Sequence, residues 1–116
     1  MNNIELEKSI SHILIEIIEY IPNSVVTKTI IRKTTGNITV VASDTGEDMD
    51  KKISPFDTFI QLIEGEVEII IDGKSNFLKI GQAIIVPAHT SNAFRANERF
   101  KMIATIIKSG YEDITI

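Results

Sequence analysis

From Leu6 onward, apolar residues recur at Ile10, Ile13 and Ile17, while Glu5, Lys8, Ser9, His12, Glu16 and Glu19 keep to the other face. Side chains three and four apart share one side of a helix, so this periodicity predicts an amphipathic helix over residues 3–20. Asn2, three residues before Glu5, resembles a capping box at its start, and Ile21-Pro22-Asn23 ends it. Beyond Pro22 the texture changes. Short runs rich in β-branched residues follow at 25–32, 38–43, 56–63, 67–71, 75–79, 82–86, 93–96 and 100–107. Thr35-Gly36-Asn37 predicts a turn between the first two, and Gly65, Asp72-Gly73, Gly81 and Pro87 punctuate the rest. Asp72-Gly73 is the sharpest of these signals, because a type I′ hairpin turn needs positive φ at both central residues. Regular short strands predict a sandwich or barrel. The expected architecture is all-β, with residues 1–22 forming a helix on a barrel of residues 23–116. The polar segment 44–52 is long enough to be a mobile loop.

A chain of 116 residues, 43% apolar and 24% charged, has the size and balance of one globular domain. With 16 acidic against 12 basic residues the net charge is −4, which attracts neither a phosphate backbone nor an anionic membrane surface. Nucleic acid and membrane are therefore not expected partners. The absence of cysteine excludes a disulfide framework, a thiolate metal site and a cysteine nucleophile. The apolar stretch 13–18 contains Glu16 and is too short for a membrane span, so a cytoplasmic protein is expected.

Gly46, Lys52, Ser54, Thr58 and Gly65 are separated by five, one, three and six residues, and Gly81, Pro87, His89, Asn92 and Ala96 by five, one, two and three. This punctuation resembles the two motifs of the cupin superfamily. In that family glycines bracket two histidines and a glutamate in the first motif, and a glycine, a histidine and an asparagine follow the proline in the second. The frame is kept and the metal-binding side chains are replaced. Lys52, Ser54, Thr58 and Asn92 stand at the ligand positions, and His89 stands at the second glycine. The fifteen residues 66–80 between the motifs match the short spacing of small single-domain cupins. The resemblance covers about half the chain and implies a conical double-stranded β-helix, or jelly roll, with an internal pocket, often dimeric. It implies no single reaction.

A catalytic metal needs about three imidazole or carboxylate ligands and an open position. Hydroxyl and amide oxygens are weak donors, and an ammonium about 4 Å from a divalent ion is repelled by roughly 8 kcal/mol at an effective dielectric near 20. The expectation is no metal and no cofactor. A rebuilt site joining His89 to Asp57 or Gln61 is disfavoured because strand alternation puts Asp57 and Gln61 on the face opposite Ser54 and Thr58. His12 and Glu16, four apart, read as a solvated pair.

Three functions follow. The first is a metal-free module that binds or senses a small organic ligand, with Lys52, Ser54, Thr58, His89, Asn92 and Phe94 as candidate binding residues. In it, alternation turns Ser54, Thr58, Ile60, Asn92 and Phe94 inward, and Lys52 favours a carboxylate or phosphate at the mouth. The second is a metal-independent isomerase or epimerase with His89 as its base, which requires His89 and a second titratable group to face one cavity. The third is a degenerate scaffold for dimerisation. A homodimer is expected in each case.

Overall fold

A computed structural model describes residues 5–111. It contains eight strands: β1 Val25–Lys33, β2 Gly36–Ser43, β3 Asp48–Ile53, β4 Thr58–Ile71, β5 Lys74–Lys79, β6 Ala83–Val86, β7 Ser91–Arg95 and β8 Phe100–Ile107. All pairings are antiparallel, in the order β1-β2-β8-β4-β7-β3, with β5 and β6 also pairing with β4.

The long strand β4 organises the molecule. Its first half pairs with β6 and β8, and its second half with β5 and β7. It therefore belongs to two sheets that face each other. Ile60 and Leu62 from one half pack with Val67 and Ile69 from the other, together with Phe94, Phe100 and Met102. Strand alternation turns these residues inward, and for Ile60 and Phe94 it is already read from the sequence. The chain was expected to break into two strands at Gly65, but it runs straight through with an irregularity between Leu62 and Glu64. Gly65 permits this because a Cβ there would lie 2.1 Å from the Arg99 carbonyl oxygen, at a φ of +79°.

Two further expectations are corrected. Segment 44–52 is not simply a loop, because Asp48–Ile53 forms β3, which pairs only with β7 among the described residues. Its charged composition suits a sheet edge, where alternation is masked. The expected helix over 3–20 is also absent from the described residues, which hold only a 3₁₀ turn at Leu14–Glu16; Asn2 lies outside them. Ser9 takes a left-handed φ of 69°, which interrupts any helix, and the Leu6 N–H donates to the Ile30 carbonyl of β1.

This N-terminal segment still covers sheet surface. Ile18 joins Val40, Ala42 and Ile103 in a second cluster on the outer face of β2 and β8, flanked by Ile17, Tyr20 and Val26. A polar clasp holds it there. The Tyr20 hydroxyl donates to Glu64 at 2.6 Å, and the Lys101 ammonium donates to the Ile15 carbonyl while lying 3.7 Å from Glu64. Arg99 and Lys101 both stand over the Tyr20 ring. Burial, then the Glu64 hydrogen bond, pushes the Tyr20 phenol well above its ordinary pKa.

Candidate functional site

Between the inner faces of the two sheets lies a cavity of about 230 Å³. Its polar wall is Thr27, Thr39, Lys52, Ser54, Thr58 and Asn92. The remaining wall is apolar and includes Met49, Ile60, Val86, Phe94, Met102 and Ile106. Register explains the convergence. Thr58 is the Cα partner of both Val86 on β6 and Ile106 on β8, so three strands contribute side chains at one level. On the facing sheet, Asn92 of β7 sits opposite Lys52 of β3 and Ile71 of β4. Two residues further along β7, Phe94 closes the inner part of the wall at 5% exposure.

The connections next to this site are tied together by hydrogen bonds. The His89 N–H donates to the Ser54 carbonyl at 2.7 Å, and the Ala88 N–H donates to Asp57 Oδ1 at 2.7 Å. Ser54 Oγ accepts the Phe56 N–H at 3.1 Å. Tyr111 adds a third attachment, its hydroxyl accepting the Asp57 N–H and its ring meeting Phe56 edge-on at 5.6 Å. Desolvation, partly offset by that N–H, holds the Tyr111 phenol above its ordinary pKa.

Of the six candidate residues, Lys52, Ser54, Thr58, Asn92 and Phe94 line the cavity and His89 does not. His89 is exposed and has a φ of 64°. The position requires a left-handed backbone, which is why glycine suits it; histidine is among the residues that tolerate that region better than most. Gly46, Gly65 and Gly81 are left-handed as well, so the frame seen in the sequence is a set of backbone demands. The reading missed the wall formed by Thr27, Thr39, Met102 and Ala104. Parity along β1, β2 and β8 carried that signal, since Thr27 pairs with Val41 and Thr39 with Ala104.

These residues do not fit a catalytic metal. Where ligands would converge there are an ammonium, two hydroxyls and the Asn92 amide, whose Nδ2 already donates to the Lys52 carbonyl at 3.3 Å. Among the described residues no histidines and carboxylates cluster in a group of three able to hold an ion. Asp57, offered as part of a rebuilt site, is instead engaged by the Ala88 N–H.

Two facing antiparallel sheets around such a cavity, with two glycine-framed motifs contributing to its rim, define a barrel of the cupin kind. A scan against family models and a search of curated proteins return no match. Solved structures do match. A conserved protein of unknown function from Streptococcus pyogenes superposes with a TM-score of 0.84 and 28% identity, covering 92% of each chain. A cupin 2 conserved barrel domain protein from Leptotrichia buccalis gives a TM-score of 0.78 and 29% identity over 81% of this chain and 46% of its own. A cupin superfamily protein from Desulfitobacterium hafniense shares the fold at a TM-score of 0.84 and 23% identity, over 92% of this chain and 98% of its own. The chain has the cupin fold and is similar to small cupin superfamily proteins. Among the described residues no helix is long and apolar enough to cross a membrane.

Proposed function

We propose that this cupin is a metal-free protein that binds or senses a small organic ligand inside its barrel. The observation that carries this reading is that Lys52, Ser54, Thr58 and Asn92 line one cavity whose other walls are mostly apolar. A concave apolar site with a few placed polar groups is what small-molecule pockets look like. The hydroxyls of Thr27, Thr39 and Thr58 have no hydrogen-bond partner among the described residues, so they are available to a ligand. The isomerase alternative gains no support from geometry, since His89 lies outside the lining and none of the lining residues is an imidazole or a carboxylate.

The test is a fragment titration followed by two-dimensional NMR of the full chain. Saturable shifts concentrated on Ser54, Thr58, Asn92 and Phe94, abolished by the cavity-filling variant Ala104→Leu with its melting temperature retained, support the reading. A broad fragment set that shifts none of these residues overturns it.

The partner proposed for the outer sheet face is a second copy of the chain. Phe59, Ile85 and Ile107 are 40%, 59% and 57% exposed, and Phe59 is the Cα partner of Ile85. The neighbouring outward positions Gln61, Ala83 and Thr105 are uncharged. An exposed apolar patch of this kind suits a self-complementary two-fold interface.

A further inference from the structure

We propose that the ligand is a small organic monocarboxylate whose apolar body fills the inner cavity and whose carboxylate meets Lys52 at the rim. This rests on the binding reading above and narrows it to one chemical class.

Lys52 is the one charged residue in the lining among the described residues, and it lines the cavity while remaining exposed. A lysine does both when its aliphatic stem lies along the wall and its ammonium stays hydrated at the opening. Among the described residues it forms no ion pair, whereas Lys8, Lys33, Lys79, Arg99 and Lys101 each lie near a carboxylate. A cation at the mouth of a cavity whose described lining is otherwise neutral selects for one negative charge and against an amine. The Ser54 and Thr58 hydroxyls beside it add donors for carboxylate oxygens.

Other ligand classes fit less well. A phosphate ester brings close to two charges and is usually met by arginine forks or several backbone N–H groups, and this lining includes no arginine. A sugar needs partners for most of its hydroxyls, and Ile60, Val86, Phe94, Met102 and Ile106 supply none. Size narrows the class further. A dry cavity of about 150 Å³ accepts benzene; the 230 Å³ here accommodates one ring or a branched chain together with its acid group.

The experiment titrates the full-length protein with benzoate and 3-methylbutanoate, with the neutral isosteres benzamide and benzyl alcohol, and with inorganic phosphate. Shifts at Thr58 and Asn92 are followed by NMR in wild type and in Lys52→Met, which keeps the stem and removes the charge. The expected result is that a carboxylate binds about tenfold tighter than its neutral isostere. Lys52→Met should erase that preference. Equal binding of charged and neutral probes to wild type overturns the monocarboxylate class and leaves the binding reading standing. A preference that survives in Lys52→Met overturns the role of Lys52, and phosphate displacing bound benzoate overturns the class in favour of phosphate. If no probe shifts any lining residue, the binding reading falls and this proposal falls with it.

Discussion

Lys52 and Asn92 stand opposite each other on adjacent antiparallel strands, and Asn92 Nδ2 donates to the Lys52 carbonyl at 3.3 Å. One belongs to the first glycine-framed motif and the other to the second, so the register of β3 on β7 is what brings the two motifs to one cavity. Ser54 lies just beyond β3, and Thr58 opens β4. Installing histidine at Lys52, Ser54 and Asn92 with glutamate at Thr58 should therefore create affinity for a divalent transition metal. Calorimetric titration of the folded quadruple variant with Zn²⁺ checks this. A folded variant without affinity would mean that the matched spacing does not bring these side chains together.

Two glycines separate steric contact from backbone preference. Gly65→Ala places a Cβ 2.1 Å from the Arg99 carbonyl, whereas Gly73→Ala meets nothing within 4 Å and suffers only from its φ of +79°. Urea unfolding should show a loss of about 1–2 kcal/mol for Gly73→Ala and more than about 3 kcal/mol for Gly65→Ala. Equal losses would contradict the close approach at Gly65.

The N-terminal segment provides a third contrast. Ile18 is 8% exposed against β2 and β8, and Ile10 is 53% exposed. Ile18→Ala should cost about 2–4 kcal/mol and Ile10→Ala less than about 0.5 kcal/mol, measured by thermal or urea unfolding. A helix over 3–20 predicts instead that the two residues, both on or beside its apolar stripe, respond alike.

That contrast shows where the sequence was legible. Strand alternation at Thr58, Ile60 and Phe94 was visible because a period of two turns every second side chain inward whatever its neighbours do. The period of Leu6, Ile10, Ile13 and Ile17 was a weaker guide. Their segment is dominated by β-branched isoleucine, a modest helix former, and most helical stability comes from packing. Here packing favours a non-helical path, with Lys101 holding the Ile15 carbonyl and Leu6 pairing with Ile30. Strand β3 was hidden because Asp48, Asp50, Lys51 and Lys52 leave little apolar signal at an edge. The position of His89 was readable from spacing, yet its exposure depended on a left-handed turn that residue type alone does not reveal.

Acid sensitivity should include Asp44. Its carboxylate accepts the Asn23 and Thr45 N–H groups at 2.8 and 2.9 Å and contacts Arg99 at 3.2 Å, and these hold its pKa below the ordinary value, the backbone bonds foremost. A lowered folded-state pKa contributes stability that is complete above the unfolded value and is lost as pH falls through the folded one. Asp44→Asn should therefore flatten the acid limb of stability against pH and leave the shape above neutrality unchanged. An acid limb identical to wild type would contradict this role.

Assembly is tested on the apolar outer patch. Light scattering at micromolar concentration should give the mass of two chains, and Ile85→Glu, which buries a charge in the apolar interface, should give one. A monomeric wild type would refute the dimer.

The cavity framed by Lys52, Ser54, Thr58 and Asn92 is proposed to serve an organic ligand and to hold no metal. Elemental analysis of the protein expressed in medium supplemented with Zn, Fe, Mn, Ni and Cu tests it most directly. None of these metals should accompany the purified chain in stoichiometric amount, and neither His89→Ala nor Asn92→Ala should alter the measurement. A transition metal close to one equivalent that disappears in either variant would contradict it.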